Sequence, residues 1–150
     1  IGNLEVDSAK IANLTVGTGK LAANAATKAD MAVNYSTNVT VVPNASSSVW
    51  TDLITLSFTV TEADSIVLIQ ANGLLATLFT TQVRALRLVR DTTQLMTYTI
   101  PDVNTFYPAA HKETSPGAGT YTYKLQAQVT SGSGNEIWNR LWIQVIESKR

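Results

Sequence analysis

Residues 120–130 alternate with a period of two. Tyr121, Tyr123, Leu125, Ala127 and Val129 point one way, and Thr122, Lys124, Gln126, Gln128 and Thr130 point the other. This is the pattern of a strand with one buried and one polar face. Such a strand must bury its apolar side against a second layer. Ser131-Gly132-Ser133-Gly134-Asn135 then supplies a turn. Similar short runs of β-branched and aromatic residues occupy 39–42, 49–60, 65–76, 82–90, 94–100 and 136–146. Seven such strands predict one all-β antiparallel sandwich.

Three of these runs are ambiguous. Val83, Leu86 and Val89 sit three apart, as on a helix, but lie between strong strands, and we read 82–90 as strand. Asn72-Gly73 is a strong hairpin signal. The rival is one long strand, bulged at Gly73 and buried on both faces by the sandwich and a neighbouring subunit. We favour the single strand. In the last run Ile137, Leu141, Ile143 and Val145 share a face, leaving Trp138 and Trp142 on the opposite one. Two tryptophans on a solvated face predict packing against another subunit or under a loop.

The first twenty residues are a tandem repeat. Ile1-Gly2-Asn3-Leu4-Glu5-Val6-Asp7-Ser8-Ala9-Lys10 aligns without a gap on Ile11-Ala12-Asn13-Leu14-Thr15-Val16-Gly17-Thr18-Gly19-Lys20, and a third copy starts at Leu21 and decays. Gly17, Gly19 and the β-branched Thr15, Val16 and Thr18 disfavour a helix. Each copy offers about three large apolar side chains, roughly 1.5–3 kcal/mol each when buried. Backbone ordering costs roughly 1–2 kcal/mol per residue, so one copy cannot order itself alone. The segment therefore needs identical neighbours. Ile1, Leu4, Val6, Ile11, Leu14, Val16 and Leu21 are the candidate interface residues, joined by Trp138 and Trp142. We divide the chain into a repeat segment, 1–32, and a sandwich, 33–150. The chain begins at Ile1 without a basic segment ahead of an apolar core, so we expect a piece of a longer or processed chain.

Composition narrows the chemistry. The formal net charge is zero, which argues against nucleic acid as a partner. No run of about 18 apolar residues is present to insert into a membrane. Cysteine is absent and histidine occurs once, so no metal site or cofactor is expected. Glu62/Asp64 and Glu5/Asp7 lie in turn-like or repeat settings, not in a shared cleft. Gly17-Thr18-Gly19-Lys20 lacks the full phosphate-loop frame. We expect no enzyme.

The repeat resembles the region ahead of the tip domain in central tail fibre proteins of bacteriophages, the host-specificity proteins. Leu86-Arg87-Leu88-Val89-Arg90-Asp91, Pro116-Gly117-Ala118-Gly119-Thr120-Tyr121-Thr122-Tyr123-Lys124-Leu125-Gln126-Ala127 and Trp142-Ile143-Gln144-Val145-Ile146-Glu147 are similar to that family as well. The order of Phe58-x-Val60, a turn at Glu62–Asp64, a core strand and then the Leu86–Asp91 run also resembles C1q/TNF-type jelly rolls. The resemblance implies a homotrimer with a jelly-roll-like tip at the distal end of the phage tail. It implies a bacterial outer-surface receptor, protein or glycan, as partner beside the chain itself. The alternative is a structural capsid fibre or decoration trimer without receptor binding. An enzyme acting on surface polysaccharide ranks third.

The receptor site is expected in residues 101–119, read as a long loop without periodicity. Phe106, Tyr107, His111, Lys112 and Glu113 are its candidate contacts. Adjacent aromatics anchor binding sites at low entropic cost. Pro108 and Pro116 would limit the loop's freedom. Alternatively, Phe106 and Tyr107 fold back to cap the sandwich. For the repeat, Leu14→Asp places an unpaired charge among apolar side chains. Faster proteolysis of residues 1–30 in that variant is the expected outcome; an unchanged rate places Leu14 outside any packed interior.

Overall fold

The computed structural model describes residues 29–43, 49–76, 83–100, 104–132 and 134–149. The repeat positions Ile1 to Leu21 lie outside them. The described strands, in chain order, are β1 (Ala29–Ser36), β2 (Thr40–Val42), β3 (Thr51–Val60), β4 (Ile66–Leu75), β5 (Val83–Arg90), β6 (Thr93–Ile100), β7 (Thr105–Thr114), β8 (Gly119–Ser131) and β9 (Glu136–Ser148). One sheet runs β1-β9-β4-β7, with β2 also paired to β9; the other runs β3-β8-β5-β6. Every pairing is antiparallel. From β3 onward each strand crosses to the other sheet, except at the β5–β6 hairpin. This is the strand order of a jelly roll. The expected antiparallel sandwich is therefore present, and Val83–Arg90 is strand.

Alternation explains most of the core. Tyr123, Leu125, Ala127 and Val129 of β8 are buried against Val67, Ile69 and Ala71 of β4 and Leu141, Ile143 and Val145 of β9 within one apolar cluster. Gln126 and Gln128 lie on the other face of β8, yet are also nearly buried, because β3 and β5 flank them. β4 is one continuous strand, as favoured over a hairpin. Its register against β9 slips between Asn72 and Leu74. Gly73 sits at that slip, and a Cβ there would lie 2.7 Å from Leu141 Cδ2 and 3.0 Å from Trp138 Cε3. The missing side chain is what lets those two core residues close over β4.

The slip has a counterpart on β9. Arg140 adopts φ 48°, a left-handed conformation that non-glycine residues rarely take. Across this irregularity the strand changes phase: Trp138 faces inward before it, and Leu141, Ile143 and Val145 face inward after it. Trp138 is thus fully buried, not on an outer face, which corrects its placement at a subunit interface. Its ring packs on Tyr107 at 6.1 Å between centroids. Ile137 takes the exposed position instead.

Two strands were not anticipated. β1 carries its apolar residues, Met31, Val33 and Tyr35, on the exposed face, so its alternation reads as a polar junction. It begins at Ala29, ahead of the 32/33 division. β7 occupies the centre of the stretch read as a loop, pairing with β4 from Thr105 to Thr114. Pro108 in its middle argues for a loop, but β7 is an edge strand, where a missing N–H is tolerated.

Charged groups join the sheets. Leu86 and Leu88 at the centre of β5's inward face are flanked by Arg84 and Arg90. Arg84 pairs with Glu136 of β9, both side chains fully buried. Arg90 pairs with Glu113 of β7 at 2.5 Å. Glu136 also accepts a hydrogen bond from Trp138 Nε1 at 3.1 Å. Burial pushes the Glu136 carboxyl up, against the pull of Trp138 and Arg84. At the edges, Asn34 Nδ2 donates to Thr55 O at 2.7 Å and the Tyr98 hydroxyl donates to Pro108 O at 2.8 Å. Burial, reinforced by Tyr107, pushes the Tyr98 hydroxyl up to about 12, which keeps it a donor.

Glu147, buried at the end of β9, fixes the β3–β4 turn. It accepts hydrogen bonds from the backbone N–H of Thr61 at 3.0 Å, the Thr61 hydroxyl at 3.1 Å and the backbone N–H of Glu62 at 3.0 Å. Burial alone would raise this carboxyl, but the donors of Glu62, Thr61 and Ser65 outweigh it and hold it below the usual range.

Two outcomes are expected. Glu136→Ala strands a buried guanidinium and lowers unfolding free energy by about 3–5 kcal/mol in chemical denaturation; a loss under about 1 kcal/mol means Arg84 is otherwise satisfied. Glu147→Gln lowers stability by about 1.5–3 kcal/mol at neutral pH. A depressed carboxyl stabilises the fold above its unfolded value and loses that contribution as pH falls toward its folded value. The gap between wild type and Glu147→Gln therefore narrows below the ordinary glutamate range; a gap constant with pH contradicts the assignment.

Candidate functional site

The five candidate receptor contacts are split by the pleat of β7. Tyr107 is buried against Trp138, and Glu113 is committed to Arg90 and, at 3.4 Å, the Tyr123 hydroxyl. His111 shares their face and is half-buried. Phe106 and Lys112 lie on the opposite, exposed face. No single loop surface gathers all five. The part of 101–119 that turns the chain is the segment after Thr114, where the Tyr121 hydroxyl donates to Pro116 O at 2.9 Å.

The exposed side of β7 belongs to a larger surface, the outer face of the β1-β9-β4-β7 sheet. Cross-strand register sets its rows. Met31, Ile146, Leu68 and Lys112 form one row; Val33, Gln144, Gln70 and Ala110 the next; Tyr35, Trp142, Asn72 and Pro108 the third. Leu74 and Phe106 continue it. Met31 and Tyr35 are 61% and 60% exposed, and Val33 and Phe106 are exposed as well. Trp142 lies in this surface, as expected of it; Trp138 does not. Lys112 is the one charged residue in these rows. Two apolar rows, Met31, Ile146 and Leu68 in one and Tyr35 and Trp142 in the other, flank a row centred on Gln144 and Gln70, and exposed side chains this large are unusual together on a solvated monomer.

The other outer face is different in kind. On β3-β8-β5-β6 it presents Thr55, Ser57 and Thr59 beside Thr120, Thr122 and Lys124, with Thr97 and Thr99 at the far side. The Thr59 and Thr120 hydroxyls are 2.9 Å apart. In its middle, Asp52, Gln126 and Arg87 are direct cross-strand partners on three adjacent strands. Arg87 Nε donates to Gln126 Oε1 at 2.7 Å, Gln126 Nε2 donates to Asp52 Oδ1, and Lys124 Nζ donates to Asp52 Oδ2 at 2.8 Å. The Arg87 guanidinium lies 4.1 Å from the ring centroid of Trp50. Burial works to raise the Asp52 carboxyl, but the Gln126 and Lys124 hydrogen bonds and the Lys124 and Arg87 charges hold it below its ordinary value. Sequence reading passed over this group, because its members sit on three strands and share no local motif.

Among the described residues no group of three or more His, Asp or Glu could hold a metal ion.

No protein-family model matches the chain, and no curated protein matches it. Solved structures do. The VP2 subviral particle of infectious bursal disease virus is similar at 8% identity and a TM-score of 0.55, over 80% of this chain and 32% of that one. The Gx strain of the same virus is similar at 6% identity and a TM-score of 0.51, over 80% of this chain and 33% of that one. The chain thus spans about a third of those viral chains. The C-terminal domain of EclA, a sugar-binding protein, is similar at 12% identity and a TM-score of 0.46, over 86% of each chain. At these identities the likeness to the viral chains concerns the jelly-roll-like fold alone.

Proposed function

We propose that this chain is the tip portion of a bacteriophage tail fibre, a homotrimer at the distal end of the tail that binds a bacterial outer-surface receptor. The observation that carries the reading is the apolar outer face of β1-β9-β4-β7. Rows of Met31, Ile146 and Leu68, and of Tyr35 and Trp142, need cover that one chain does not supply. Their cover is further copies of the same chain. The repeat that needs identical neighbours leads directly into β1, the strand that contributes Met31, Val33 and Tyr35 to this face. The two demands for self-association are therefore contiguous in sequence. With the apolar sheet turned inward, the polar sheet of each copy faces the surroundings. The reading contains no catalytic step and no cofactor.

Light scattering on the purified chain is expected to give three times the 16.2 kDa chain mass. Val33→Asp with Tyr35→Asp puts two charges per copy into the interface and is expected to lower that mass while the sandwich stays folded. A wild-type monomer at micromolar concentration contradicts the assembly. The trimer is expected to bind intact host cells and compete with phage adsorption. Binding to empty capsids instead assigns it to a capsid fibre.

A further inference from the structure

We propose that the outer face of β3-β8-β5-β6 carries a binding site for an acidic, carboxylate-bearing saccharide, built from Trp50, Asp52, Arg87, Lys124 and Gln126. The site is complete within one chain, so it stands whether or not the trimer forms; in the trimer it would be displayed in three copies.

The argument starts from the guanidinium. Arg87 is held at two points: its Nε is tied to Gln126, and its Cζ lies over the Trp50 ring. Gln126 is tied in turn to Asp52, which Lys124 holds from the other side. A long side chain normally loses rotamer freedom when it binds; here four strand-borne side chains have already lost it to one another. Among the described residues the terminal nitrogens of Arg87 make no hydrogen bond. A guanidinium fixed at Nε with its terminal nitrogens free presents the fork that matches a carboxylate, two parallel N–H donors to two oxygens.

Charge sets the class of ligand. Arg87 and Lys124 contribute two positive charges, and Asp52, held ionised, contributes one negative. One positive charge is left, which suits a single carboxylate better than a neutral ligand or a polyanion. The surroundings suit a sugar ring. Trp50 supplies an apolar ring surface for C–H groups, while the exposed Thr99 on β6 lies beside Ala85, and Thr97, whose hydroxyl donates to Leu86 O at 3.2 Å, lies beside Arg87. Ala85, between Gln128 and Thr99 in register, is the small residue that leaves room next to the fork.

The test is titration of the intact chain with sodium D-glucuronate, followed by the indole N–H resonance of Trp50. D-glucose and sodium acetate are titrated in parallel. Glucuronate is expected to shift that resonance saturably in the millimolar range, with glucose and acetate each at least about tenfold weaker. Arg87→Gln, followed by the same resonance, and Trp50→Ala, followed by the side-chain amide resonances of Gln126, are each expected to weaken glucuronate binding by at least about tenfold. Lys112→Gln, on the other sheet, is expected to leave it unchanged. No saturable shift with glucuronate overturns the site. An equal response to glucose overturns its acidic character, and an equal response to acetate overturns its preference for a saccharide. Binding that survives Arg87→Gln overturns the role of the fork. None of these outcomes depends on the oligomeric state or on host-cell binding, so the site can fail while the tip reading stands, and the reverse.

Discussion

The inward face of β5 is the constraint around which the sandwich is organised. Its middle, Leu86 and Leu88, is ordinary core, but its ends are arginines, and each meets a glutamate of the opposite sheet. Apolar contact between two sheets is non-directional and permits sliding. A fully buried Arg84–Glu136 pair does not, because a small displacement would leave charge in the interior without a partner. With Arg90–Glu113 at the other end, the relative position of the sheets is fixed at two points. The Glu147 cage around the β3–β4 turn fixes a third. Arg84–Glu136 and Arg90–Glu113 both cross between the sheets, whereas Lys124–Asp52 lies within one.

With the interior locked, the outer faces are free to differ. One is apolar and nearly uncharged; the other is threonine-rich, with a hydrogen-bonded charged network at its centre. In the proposed assembly the apolar face is the one set against further copies of the chain, and the polar face is the one left outside.

Much of this was legible in the residues. The alternation of β8 follows from period-two patterning, and the continuity of β4 through Asn72-Gly73 was favoured over the local hairpin signal because the run is apolar on both faces. What was not legible has specific causes. β1 inverts the usual rule: Met31, Val33 and Tyr35 lie on the exposed face, so the inward-facing positions carry no apolar pattern to mark it as a strand. β7 contains Pro108, which signals a loop unless the strand is known to be an edge. Trp138 was placed on the wrong face because the phase change at Arg140 has no glycine to announce it. The Asp52–Gln126–Arg87 row is a product of strand register, and register across β3, β8 and β5 is long-range information that no local window contains.

The β1–β9 ladder has a mechanical consequence. Ala29, the first residue of β1, pairs with Ser148 near the other end of the chain, and the ladder then runs on to Ser36 opposite Leu141. Tension applied at Ala29 along the axis of β1 is shared by all eight of its register pairs at once. The bonds are loaded in shear and must give way together, whereas a strand pulled across its ladder opens one pair at a time. The attachment point of this domain is therefore placed where an antiparallel sheet resists extension most strongly.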